Sequence, residues 1–288
     1  MAALTEAFTI RDLKTYAEFL QVRQIQQAVW GFADPSTGLY PPVLFTASKN
    51  GGVVLGAFDQ EGQMIGYIFS FLGREPGGPL KLCSQTMGVL REWRSRGVAT
   101  ALKWAQRDRA LAAGLSLITW TFDPLESPNA RLNMHKLGAI SRSYWRNIYG
   151  EHFGDLNEGL PTDRLLVEWW IRGQRVEAKA EVEAEVEAKA EVFAVEGGGV
   201  SRRVVAFHTD LDAPCLSVEV PANIQKLKRA DMALAHDWRV RVREAFETYL
   251  GRRYVVTGFV TQGEGDARHN SYILSRMTDN LIEWIGME

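Results

Sequence analysis

The chain has 288 residues, with 33 lysines and arginines set against 35 aspartates and glutamates for a formal net charge of −2. That length suits one full domain with a smaller one beside it, and that balance offers no whole-chain electrostatic case for nucleic acid or an anionic membrane. Two cysteines far apart, Cys83 and Cys215, argue against a disulfide framework and favour a cytoplasmic setting, and no stretch reads as a signal peptide or a membrane span.

Phe8 to Arg11 is a short strand, and Asp12 can cap the helix after it. From Leu13 the apolar residues Tyr16, Phe19, Leu20, Val22, Ile25 and Val29 recur at helical spacing until Gly31. A loop over Phe32 to Pro42 precedes a short helix over Val43 to Lys49. Val53 to Phe58 and Met64 to Phe71 form a hairpin around Asp59-Gln60-Glu61-Gly62. After a loop over Leu72 to Pro79, Lys81 to Leu90 is the fourth strand. A basic turn then leads into a helix from about Val98 to Ala113, whose apolar line is Val98, Ala101, Leu102, Ala105 and Leu111. Leu115 to Phe122 is the fifth strand and Asn129 to Leu137 a short helix closed by Gly138. Ala139 to Tyr149 and Arg164 to Ile171 are two more strands. The expected class is α+β, a mixed, mostly antiparallel sheet flanked by helices.

Composition then changes. From Val176 to Val192 every even position is Val or Ala and every odd position Glu or Lys. Period two nominally favours a strand, yet Ala, Glu and Lys are helix formers and a strand of this length is unusual. The segment is read as a solvated, partly helical linker closed by Gly197-Gly198-Gly199. Beyond it, Leu216 to Val220, a helix from about Ile224 to Leu250, and strands over Tyr254 to Thr261 and Ser271 to Met277 make a small β-α-β-β unit. The expected division is residues 1–172, a linker over 173–199, and 200–288.

The chemistry centres on Met87-Gly88-Val89-Leu90-Arg91-Glu92-Trp93-Arg94-Ser95-Arg96-Gly97-Val98-Ala99-Thr100. A strand, a basic turn and a helix start aim free backbone N–H groups and the positive end of the helix dipole at whatever lies above. Arg94 and Arg96 flank Gly97, so a phosphate is the expected ligand. A P-loop and a dinucleotide fingerprint are both excluded by the absence of their glycine and lysine spacings. The turn alone also fits an ordinary strand–helix junction with solvated arginines.

Arg94-x-x-Gly97-x-Ala99 after the fourth strand, in this order of elements, resembles the GNAT acyltransferase superfamily. The strings Trp120-Thr121-Phe122-Asp123-Pro124-Leu125-Glu126 and Pro161-Thr162-Asp163-Arg164-Leu165-Leu166-Val167-Glu168-Trp169 resemble a poorly characterised branch of predicted acetyltransferases. The resemblance covers roughly residues 8 to 171. It implies that Arg94, Ser95, Arg96, Gly97, Val98, Ala99 and Thr100 hold the pyrophosphate of acetyl-CoA or another acyl-CoA. It further implies that Met87 and Val89 pair with the pantetheine arm, and that Asn129 stands for the family's second-motif asparagine. No metal is implied. The implied reaction is acyl transfer, acetyl or succinyl, to a small amine such as an amino acid, with the Val89 N–H as a donor to the developing oxyanion.

Two positions depart from the family. Where many members carry a tyrosine as the thiolate's acid, this chain has Met134, with Asn133 and His135 as neighbours. Asn133, one turn after Asn129 on a regular helix, is the better placed; His135 reads equally as a solvated helix residue. Where many members carry a carboxylate on the fourth strand, this chain has Gln85, which orients but takes no proton. Asp123, Glu126 and His152 remain as bases from elsewhere, although Asp123 before Pro124 also reads as a turn residue. Arg239, Arg241 and Arg243 read either as a polar helix face or as a clamp for a substrate carboxylate. A CoA-binding module without catalysis, and acyl transfer to a protein or tRNA, are the competing readings. A homodimer is compatible with all of them.

Overall fold

The structure is a computed structural model and describes residues 8–31, 38–150, 158–178 and 188–287. Its packing divides at Trp120/Thr121 into two compact units, residues 1–120 and 121–288. This differs from a boundary at 172, because strands before and after the linker share one ladder: Ser141 pairs with Val256. His152 and residues 179–187 of the Glu/Ala/Val repeat lie outside the described residues.

The first unit holds β1 (Phe8–Asp12), α1 (Tyr16–Trp30), α2 (Pro41–Lys49), β2 (Val53–Asp59), β3 (Met64–Arg74), β4 (Leu80–Val89), α3 (Val98–Ala112) and the start of β5 (Leu117–Phe122). β1 to β4 are antiparallel neighbours in chain order, and β5 joins β4 in parallel. Helix α1 starts at Thr15 instead of Asp12. Thr15 and Glu18 form a reciprocal capping box, and Gly31 closes the helix with a left-handed φ of 65°. Asp12 is thereby free for Arg109 of α3, whose Nη2 donates to its Oδ2 at 2.8 Å. Phe19, Val22, Leu44, Val54, Tyr67 and Phe69 build the core under α1 and α2.

On α3 the buried residues are Val98, Leu102, Lys103, Gln106 and Ala110, a face rotated from the expected apolar line. Alanines at 101 and 105 have too little surface to compete with the long stems of Lys103 and Gln106 for the sheet.

The second unit continues with α4 (Ser127–Ala130), β6 (Ile140–Trp145), β7 (Arg164–Trp170), α5 (Gln174–Glu177), β8 (Ala190–Glu191), β9 (Phe193–Glu196) and β10 (Arg203–Phe207). It ends with β11 (Cys215–Val220), α6 (Ile224–Ala230), α7 (Met232–Gly251), β12 (Tyr254–Gln262), β13 (His269–Arg276) and α8 (Asp279–Ile285). The strand order is β7-β6-β12-β13-β11-β8, with β9 and β10 as a separate pair. The described end of the repeat is not linker. Ala190 and Glu191 pair in parallel with β11, and Val192 is fully buried. The helix expected from about Ile224 to Leu250 is broken at Asp231, whose side chain caps α7 through the Leu234 N–H. The small C-terminal unit also gains β10 and α8. The fold class is the expected α+β mixed sheet flanked by helices.

Candidate functional site

In the first unit, the end of β4 supplies a strand edge and the start of α3 an anion site. The β4–β5 ladder has two recorded rungs, Leu82 with Ile118 and Cys83 with Thr119. On its other side β4 stays paired with β3 as far as Val89, opposite Gly66. Leu90 donates its N–H to Ile65 at 3.0 Å, so by antiparallel alternation the N–H groups of Val89 and Met87 point away from β3. These are the backbone groups expected to face a pantetheine arm, and they lie on the edge where the β4–β5 ladder has ended.

The turn is built to open a helix end. Ser95 and Gly97 both have left-handed backbones, with φ of 62° and 87°. Such residues turn successive N–H groups toward one side, the geometry of an anion nest. Gly97 is the N-cap of α3 and no side chain caps the helix, so the N–H groups of Val98, Ala99 and Thr100 are not taken up by a capping side chain. A Cβ on Gly97 would meet nothing within 4 Å, so its φ, and not crowding, requires the glycine. Arg94 is exposed and leans back, with Nε donating to the Val89 carbonyl at 3.3 Å. Exposed Arg96 lies over the Trp93 ring at 5.2 Å. Two guanidiniums, a helix N-terminus and a nest thus lie within one short turn, donor groups of the kind that suit a phosphate.

Gln85 sits on a β-bulge. The β3–β4 register jumps from Phe69 opposite Thr86 to Ser70 opposite Ser84, which makes Gln85 the extra residue. It is exposed and lines a cavity of about 680 Å³ with Tyr40, Pro42, Val43, Phe69 and Phe71. Beside it Thr86 Oγ1 lies 3.2 Å from the Tyr67 hydroxyl, and burial pushes that phenol up to about 12.

Lys103 escaped the sequence reading. It is 2% exposed, with Nζ donating to Ser84 Oγ at 3.0 Å and lying 3.4 Å from the centroid of the Trp120 ring. Ser84 and Trp120 are the residues immediately after the last β4–β5 rung on each strand. Gln106 completes the cluster by donating to Ser70 Oγ and Ser84 Oγ, both at 3.0 Å. Among the described residues no carboxylate pairs with Lys103, and burial pushes its amine well below its ordinary value. The only sequence signal was two serines on adjacent strands opposite a helix with too few large apolar residues.

The second unit holds the other expected residues. Asn129 is exposed on α4, which begins two residues earlier at Ser127. From Arg131 to Lys136 the chain is a π-helix, and Asn133 on it is buried where Asn129 is exposed. Asn133 is 3% exposed, next to fully buried Met134. His135 is half-buried and lines a second cavity with Arg131 and Met134.

Asp123 is a turn residue as one reading expected, accepting the Leu125 N–H at 2.8 Å. Its other oxygen takes Arg239 at 2.5 Å, with Arg164 at 3.7 Å. Glu126 accepts from Gln225 at 2.6 Å, and burial raises its carboxyl above the usual range. Arg243 forks onto Asp163 at 2.7 and 3.0 Å, while Arg241 is half-buried with Nε 3.6 Å from Asp237. All three helix arginines thus face protein carboxylates, although Arg239 Nε and Nη1 and Arg241 Nε are buried without a hydrogen-bond partner among the described residues.

No known protein family and no curated protein matches the chain. Among solved structures it is similar to the ribosomal-protein-S18-alanine N-acetyltransferase of Escherichia coli, at 15% identity and a TM-score of 0.45, over 57% of this chain and 94% of that one. It is similar to an acetyltransferase of Salmonella typhimurium described as putative and solved with acetyl-CoA, at 16% and 0.46, over 58% and 95%. A third is a GNAT superfamily phosphinothricin acetyltransferase of Sinorhizobium meliloti with acetyl-CoA, at 18% and 0.44, over 56% and 87%. Among the described residues no helix is long and apolar enough to cross a membrane, and no group of three His, Cys, Asp or Glu could hold a metal ion.

Proposed function

We propose that the chain is an acyl-CoA-dependent N-acyltransferase that acts on a small amine. The observation that carries this reading is the uncapped α3 N-terminus behind left-handed Ser95 and Gly97, beside a β4 edge whose pairing with β5 has ended. Arg94, Arg96 and the N–H groups of Val98 to Thr100 would hold the diphosphate of the acyl-CoA substrate. The Met87 and Val89 backbone would pair with the pantetheine amides, and the Val89 N–H would also donate to the thioester oxygen as charge develops there. Gln85, exposed on its bulge, would orient the incoming amine. β4 carries no acidic side chain, so no base on that strand deprotonates the amine. The rate would therefore rise with pH until the amine itself is neutral.

The test is CoA binding by calorimetry together with thiol release from acetyl-CoA and succinyl-CoA over a panel of amino acids and polyamines. Arg94→Ala with Arg96→Ala should weaken CoA about tenfold or more, by loss of charge-assisted contacts. Unchanged affinity in that variant sinks the assignment of the turn.

A second reading, a CoA-binding module without catalysis, is favoured by fully buried Met134 and by the absence of an acid on β4. Tight CoA binding with no thiol release on any amine would select it.

A further inference from the structure

The second unit contains a cavity of about 950 Å³ that the acyl-transfer reading does not use. That volume is at the upper end of small-molecule sites. Its floor is one face of the β11-β13-β12 sheet, and α8 contributes Trp284 to its wall. The two sheet faces differ sharply. Leu216, Val218, Val220, Tyr272 and Leu274 are fully buried, and Tyr272 packs edge-on to Phe246 of α7 at 5.2 Å. The alternate residues Ser217, Ser271 and Ser275, with Thr257 of β12, line the cavity. A hydroxyl-bearing sheet face ordinarily meets water. Here Ser217, Ser271 and Thr257 are only 9%, 7% and 6% exposed.

Not all of these polar groups satisfy one another. Thr257 Oγ1 pairs with Ser275 Oγ at 2.7 Å. The Ser217 and Ser271 hydroxyls have no side-chain hydrogen bond among the described residues. Arg175 is 3% exposed and lines the same cavity. Its Nε donates to the Gly138 carbonyl at 2.8 Å and its Nη2 to the Thr257 carbonyl, while Nη1 has no hydrogen-bond partner and no carboxylate pairs with the guanidinium among the described residues. Its Cζ lies 4.8 Å from the Trp284 ring centroid. Burial lowers it to about 10, the mark of a cation short of counter-charge. The nearby Glu219 does not compete for it, being forked onto Arg202.

We propose that this cavity binds a small organic carboxylate, with the acid on Arg175 Nη1, a hydroxyl or amide between Ser217 and Ser271, and a ring against Trp284. One buried cation with one free nitrogen suits a single carboxylate better than a phosphate dianion, for which the described cavity offers no second buried cation. The site lies wholly in the second unit and is independent of the α3 anion site.

Calorimetry on the full chain tests this with 4-hydroxybenzoate, its methyl ester and inorganic phosphate as probes. The acid should saturate one site per chain, with the ester at least about tenfold weaker. Arg175→Met should weaken the acid by about tenfold or more. Because Arg175 also ties two carbonyls, Ser217→Ala with Ser271→Ala gives a fold-safe check, expected to weaken binding about threefold to tenfold while CoA affinity stays unchanged. The proposal is overturned if the acid shows no saturable binding, if the ester or phosphate binds as well, if both variants bind as wild type, or if the serine variant loses CoA affinity in step.

Discussion

The two units bury cations in opposite ways. The first hides Lys103 with no carboxylate among the described residues, giving it a serine, a glutamine and an aromatic face. The second hides Arg239 completely and sets Asp123 against it at 2.5 Å. The difference comes from the side chains. An amine can shed its proton when water is removed, while a guanidinium holds its charge and must be answered by an acceptor. Even so Arg239 is only half answered, since its Nε and Nη1 are buried without hydrogen-bond partners. The largest expected effect is therefore in the second unit. Asp123→Asn leaves a full charge buried beside a neutral amide and should cost about 3–5 kcal/mol, read as a drop in the urea midpoint. Arg239→Met, which removes the charge itself, should cost less than Asp123→Asn. The reverse order would break the contrast between the units.

Lys103 predicts the opposite behaviour, and its pH dependence has a definite sign. The unfolded amine titrates near 10.5 and the folded one well below it. Between those two values the unfolded chain binds the extra proton, so stability rises with pH across that window and levels off above 10.5. Lys103→Met should abolish that rise. At neutral pH it should stabilise the chain by about 1 kcal/mol or more, since an unpaired buried amine gives way to apolar packing. Denaturation midpoints at several pH values check both. If the variant is less stable at neutral pH, the Ser84–Gln106 cluster depends on the amine more than on its own hydrogen bonds.

What the sequence made legible divides along the same line. Strand and helix periods and the Gly31 and Gly138 stops depend on local chemistry, and each stands where the spacing put it. The misplaced features depend on partners distant in the chain. Asp12 looked like a cap because Arg109 is 97 positions away. The line of alanines on α3 looked like its core because nothing local says that Ser70 and Ser84 will accept a lysine and a glutamine. Asn133 is buried where Asn129 is exposed, and the π-helix that carries it has no strong sequence mark. Beside the candidate site, the helix start at Val98 was readable from residue type alone. The bulge at Gln85 was not, since it is a property of the β3 register.

The smallest effect sharpens the contrast from the acid side of the first unit. Glu18 is a surface group held by geometry instead of burial. Desolvation is the largest single effect and pushes its carboxyl up, but the N–H groups of Lys14 and Thr15, both donating at 2.8 Å, and the Arg11 and Thr15 side chains together outweigh it and bring the group down to about 2. The folded state thus keeps Glu18 ionised where the unfolded chain, near 4.5, takes up a proton. Its contribution is complete above about pH 4.5 and fades as pH falls toward 2. Thr15→Ala removes the other half of the capping box and should cost about 1 kcal/mol at neutral pH. Glu18→Gln keeps the backbone contacts without the charge, so it should cost less than Thr15→Ala and flatten the acid limb, while leaving the alkaline rise from Lys103 untouched. A change in that rise would mean that α1 and the Lys103 cluster are coupled through the sheet between them.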